Sequence, residues 1–80
     1  MNTVVTDNEV KEALTTIIVN SHQKAVNWAV NYAKAGLSMT GDELRTQCLY
    51  VLNNITYWRG EEATAVRNTL KAFTKQGGRR

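Results

Sequence analysis

The chain contains no proline, and its five glycines fall at only three places: Gly36 with Gly41, Gly60 alone, and Gly77 with Gly78. Proline and glycine interrupt helices most reliably, the first because it lacks an amide hydrogen and the second because its backbone is free. A chain punctuated so sparsely, with no strand-period alternation, predicts an all-α, three-helix domain. Eighty residues suffice for one domain and not for two.

Each predicted helix has its own start signal. Thr6-Asp7-Asn8-Glu9 has the form of a capping box, in which a hydroxyl accepts an amide three residues on and the glutamate answers. The first helix is predicted over about residues 7–35, with Val10, Leu14, Ile17, Ala25, Trp28 and Tyr32 as its apolar stripe. Val19, Val26, Val30 and Ala33 form a second stripe that widens this face, and Gly36 is assigned the left-handed position that ends the helix. Thr40-Gly41-Asp42-Glu43 reads as a second capping box, with Met39 and Leu44 placed as a hydrophobic staple. The second helix, about residues 41–59, carries Leu44, Cys48, Val51, Ile55 and Trp58 at spacings of four, three, four and three. Gly60 ends it, and Ala63, Val66, Leu70 and Phe73 repeat the pattern in a third helix over about 61–75, ahead of a flexible basic tail at 76–80. A single bent helix through Gly60 is the alternative, since one glycine costs a helix only about 1 kcal/mol.

So short a chain buries only roughly 60% of the surface it exposes when unfolded, which leaves a marginal core. One cysteine, Cys48, allows no internal disulfide. With a single His22 and no acidic spacing of the calcium-loop kind, no metal or other cofactor is expected. The N-terminal residues lack a basic and apolar leader, and no apolar run approaches the roughly 20 residues needed to span a bilayer, so no membrane association is expected.

Catalysis finds little to work with. His22 has no neighbour in sequence that would orient it as a base, and Cys48 on an apolar stripe is a small hydrophobe rather than a nucleophile. Asp42/Glu43 and Glu61/Glu62 fall in first helical turns, where the helix dipole accounts for them. Adjacent helical residues also diverge by about 100°, so neither pair converges on one substrate atom. The chain is therefore not expected to be an enzyme.

Two surfaces suit binding instead. Residues 63–80 contain Arg67, Lys71, Lys75, Arg79 and Arg80 and no acid. The first three, four residues apart, form a cationic stripe that suits successive phosphates of a nucleic acid. Cations near a helix C-terminus are also favoured by the dipole alone. The second surface lies off the seam of the second helix, where Tyr50 and Tyr57 stand seven residues apart with Asn53, Asn54 and Arg59 beside them. Protein interfaces enrich tyrosine and arginine, so these five are the candidate partner-binding residues. Trp28, Tyr32, Trp58 and Phe73 are assigned to the core.

Residues 41–47 (GDELRTQ), 49–54 (LYVLNN) and 57–63 (YWRGEEA) resemble a segment of small uncharacterised helical proteins encoded by temperate bacteriophages and prophages. The likeness covers roughly residues 40–72. It implies a cytoplasmic setting in an infected or lysogenic bacterium, and action by stoichiometric binding to a host or phage protein as an accessory or inhibitor factor. A homodimer is expected on separate grounds. The apolar face of the first helix spans about 25 residues, or nearly 40 Å, while the third helix offers only some 15 residues to cover it. A monomer would instead mean that the first helix folds back as two shorter helices, with a break near Asn20-Ser21.

Overall fold

The computed structural model describes residues 4–76. Its first helix, α1 (Asp7–Val19), begins at the predicted capping box. The Thr6 hydroxyl accepts the Glu9 amide at 3.2 Å, and the Glu9 carboxylate accepts the Thr6 amide at 2.9 Å. Then come α2 (Lys24–Asn27), α3 (Ala29–Gly36), α4 (Gly41–Asn53) and α5 (Glu61–Gln76), with no strand among the described residues. The all-α class stands. The expected three helices are instead four principal helices and one single turn.

The long first helix does not form, because Asn20 breaks it. The Asn20 side-chain amide donates to the Thr16 carbonyl at 2.8 Å and to Glu62 Oε1 at 3.2 Å, while its Oδ1 accepts from Gln23 Nε2 at 2.7 Å. Asparagine competes with the helical ladder by such short-range bonds. Here the side chain is also buried, so leaving those bonds unmade would be costly. The break resets the helical phase. After it, Val26, Ala29, Val30 and Ala33 enter the core, whereas Trp28 and Tyr32 are 78% and 41% exposed. Their assignment to the core is corrected, while Trp58 and Phe73 are buried as expected. Since α3 packs on α1, the length argument for a dimer loses its basis.

Two other predicted features change. Gly36 is not left-handed but closes α3, where a Cβ would come within 2.8 Å of Leu14 Cδ1. Its missing side chain is what lets α3 approach α1. Thr40 caps α4 without a side-chain hydrogen bond, because Gly41 (φ 58°) turns the chain out of the helical conformation that a capping box requires. The apolar part of that signal survives. Leu44 is buried, and Met39 packs against the core.

The second predicted helix stops at Asn53 rather than near 59. The Asn54 side chain caps it by donating to the Tyr50 carbonyl at 2.8 Å. Four-residue turns follow, Ile55 amide to Leu52 carbonyl and Trp58 amide to Ile55 carbonyl, and they keep Ile55 and Trp58 on the core side. A run of tight turns thus reproduces the spacing of a helical stripe. Gly60, at φ 116°, then opens α5, and its carbonyl accepts both the amide and the hydroxyl of Thr64.

The four principal helices close a ring in which α1 and α4 each pack on both α3 and α5. Successive members run in opposite directions. Gln76 at the end of α5 holds Val5 ahead of α1 by two hydrogen bonds, and Arg45 early in α4 stacks over the Phe73 ring late in α5 at 5.5 Å. Val10, Leu14, Ile17, Leu44, Val51, Ile55 and Leu70 fill the interior.

Candidate functional site

The titratable groups are structural or solvated. Cys48 is fully buried, and burial pushes its thiol from an ordinary 9.0 up to about 12, with the Arg45 charge partly opposing the shift. The native thiol is therefore expected to resist a thiol reagent at pH 8 and to react fully once the chain is unfolded. Prompt reaction of the folded protein would show that α4 opens. The pH dependence follows from the same shift. An unfolded thiol ionises near 9.0 while the folded one stays neutral, so the associated stability is full below pH 9 and is lost as pH rises toward 12.

His22 is exposed in the turn between α1 and α2. Among the acids, Glu9 serves the capping box, Glu62 holds Asn20, and Asp42 pairs with Arg45. Among the described residues no three His, Cys, Asp or Glu side chains gather as a metal site. Surface depressions are shallow and open: one lies between α1 and α5 beside Glu12, Ala13 and Ala65, another beside Gly60 and Asn68.

The cationic stripe is divided. Arg67 is half-buried, and its guanidinium donates to the Trp58 carbonyl at 2.7 Å and to the Ile55 carbonyl at 3.3 Å, across the seam from α5 to the α4–α5 connection. Lys71 and Lys75 are exposed, and Arg79 and Arg80 lie outside the described residues. In sequence Arg67 is one cation among five. Its use as a clamp on two carbonyls nine and twelve residues earlier carries no local signal.

The five candidate partner residues also divide into two groups. Tyr50 turns toward α3, where its ring stacks on Tyr32 with centroids 5.9 Å apart and planes at 30°. The helix behind the pair is fixed by buried Gln47, which donates to the Tyr32 carbonyl at 2.9 Å. Asn54 is the cap that ends α4 beneath Tyr50. Of the other three, Asn53 is the last residue of α4, while Tyr57 and Arg59 lie in the α4–α5 connection. The heptad spacing of Tyr50 and Tyr57 no longer places them on one helical face, because the helix ends between them.

That connection is a built structure. Ile55 and Trp58 anchor it in the core, Arg67 ties down both of their carbonyls, and the Arg59 guanidinium donates to the Thr56 carbonyl at 2.7 Å. Tyr57, between the two anchors, is 84% exposed. A large aromatic side chain is thus held out into solvent on backbone whose neighbours are fixed.

Comparison of the chain with known protein families, with curated proteins and with solved structures finds no match. No described helix is long and apolar enough to cross a membrane.

Proposed function

We propose that this protein is a non-catalytic factor that binds another protein stoichiometrically through the α4–α5 connection, with Tyr57 as the anchor and Asn53 and Arg59 at its rim. The observation that carries this reading is the 84% exposure of Tyr57 between two core-anchored residues. A backbone held in place before binding loses little further entropy on docking, and tyrosine is among the residues that dominate interface energetics. The target is a host or phage protein in the bacterial cytoplasm, where the factor acts as an accessory or inhibitor. The homodimer belongs to the same reading, on a different surface from the first helix that suggested it.

Nucleic-acid binding is the competing function. It would draw on Lys71, Lys75, Arg79 and Arg80, with Arg67 already committed to two carbonyls. The two functions separate in one experiment. Tagged protein captures its target from nuclease-treated bacterial lysate, and the purified target is then titrated against variants. Tyr57→Ala is expected to weaken binding about thirtyfold or more, matching the roughly 2 kcal/mol typical of an interface hot spot. Lys71→Ala with Lys75→Ala should change it only a few-fold, as rim charges do. A duplex-DNA complex whose log–log salt slope falls by roughly 2 in the double lysine variant, at about 0.9 per phosphate, would instead establish the nucleic-acid function.

A further inference from the structure

We propose that the face between α3 and α4 that carries Trp28, Tyr32 and Tyr50 binds a second copy of this chain across a twofold axis. The inference rests on the homodimer part of the proposed function and is independent of what Tyr57 binds.

The face is aromatic in the middle and charged at its ends. Lys24, Trp28 and Tyr32 recur every four residues along α2 and α3, and all three are exposed. On α4, Glu43, Gln47, Tyr50 and Asn54 recur at four, three and four, which is again one flank of a helix. The helices run in opposite directions, so that Gly36 faces Leu44 and Gln47, and the Tyr32 ring meets Tyr50. Glu43 therefore stands at the Gly36 end of the strip and Lys24 at the far end, some twelve residues or roughly 18 Å away.

A strip with a cation at one end and an anion at the other complements itself. Rotation by 180° about an axis through its middle carries each Lys24 to the Gly36 end of the other copy, where Glu43 stands on the neighbouring helix. That axis falls near residue 30, between Trp28 and Tyr32, so the same rotation lays Trp28 of each copy against Tyr32 of the other. One operation thus satisfies both the charges and the rings, which is what an isologous interface requires. The available area agrees. At roughly 200 Å² per aromatic side chain, exposures of 78%, 41% and 50% leave about 340 Å² of ring surface per copy. That is close to half of the roughly 800 Å² each partner contributes to a standard interface. Exposed Asn27, Asn31 and Thr46 beside the strip supply polar surface for the rim.

Sedimentation velocity on the full chain from about 1 to 200 μM, at low salt, tests the proposal. The wild type is expected to pass from monomer to dimer with a Kd in the micromolar range. Trp28→Ala should raise that Kd at least tenfold while its far-UV circular dichroism, and its melting curve at concentrations below the Kd, stay unchanged, because the side chain lies outside the core. Lys24→Glu and Glu43→Lys should each weaken the dimer several-fold by facing like charges, and the two together should restore it. Emission from Trp28 should shift to the blue as the dimer forms. A dimer indifferent to Trp28→Ala and to both charge reversals would overturn this face while leaving the homodimer standing. A monomer at every concentration would overturn both.

Discussion

Replacing Trp58 by alanine is expected to remove much of the protein's stability and lower its melting temperature by about 12 °C or more, whereas the same replacement one residue earlier, at Tyr57, should leave its melting curve in place. Trp58 is only 2% exposed and lies among the core side chains at the end of the ring where α4 gives way to α5. Truncating a buried Trp or Phe to alanine costs about 3–5 kcal/mol, the sum of lost transfer energy and the cavity left behind. At roughly 0.05–0.15 kcal/mol per residue, a chain of this length has a total stability of only about 4–12 kcal/mol. The substitution removes much of that reserve. Each kcal/mol shifts the midpoint of so small a domain by about 4–8 °C, so thermal melts followed at 222 nm should fall by 12 °C or more. Tyr57, almost fully solvated, has little burial to lose. A melting temperature for Trp58→Ala within a few degrees of the wild type would contradict the anchored connection and the presentation of Tyr57 built on it.

Arg67→Ala is the second large effect, and it distinguishes a clamp from a phosphate ligand. The guanidinium donates to the carbonyls of Ile55 and Trp58 in a half-buried setting. Hydrogen bonds from charged donors are worth about 1.5–3 kcal/mol each, and removing the donor leaves the Trp58 carbonyl with only a long Arg59 contact at 3.4 Å, while the Ile55 carbonyl keeps the Trp58 amide. A loss of about 2–3 kcal/mol in urea unfolding is expected, together with a loss of target binding that follows from release of the backbone around Tyr57. Arg67→Lys should recover only part of either, because both bonds come from the single Nη1 nitrogen, which an ammonium on a shorter stem replaces only in part. If Arg67→Ala instead unfolds at the wild-type urea concentration and lowers only the salt slope of a DNA complex, Arg67 is a phosphate ligand.

Most local signals in the chain are legible, but not the Thr40 capping box or a left-handed Gly36, which the backbone at Gly41 and the close packing of α3 on α1 override. The Thr6 capping box, the Met39 and Leu44 staple, and the stripes Leu44/Cys48/Val51 and Ala63/Val66/Leu70/Phe73 depend on residues three or four apart. Such signals are complete within one turn of helix. The exposure of Tyr50 and Tyr57 was legible for the same reason, since both fall off the buried seam. The end of α4 was not, because Val51, Ile55 and Trp58 keep helical spacing through a stretch that is not helical.

The amino-acid pattern by itself determined an all-helical class, where α1 and α5 begin, and most of the side chains that make the core. Tertiary structure decided between one long first helix and the two shorter ones that a break near Asn20 gives, and it alone decided the outward display of Trp28 and Tyr32 and the use of Arg67. Asn20 is held by Glu62, forty-two residues away, and that bond exists only when the C-terminal end of α1 lies against the start of α5. The break in turn sets the phase of every residue after it, moving Trp28 from the expected core stripe to the surface strip beside Tyr50. Arg67 finds its carbonyl partners only once the connection has folded onto α5. In each case the deciding partner is distant along the chain and close in space, so its contribution to the free energy cannot be read from any window of neighbouring residues.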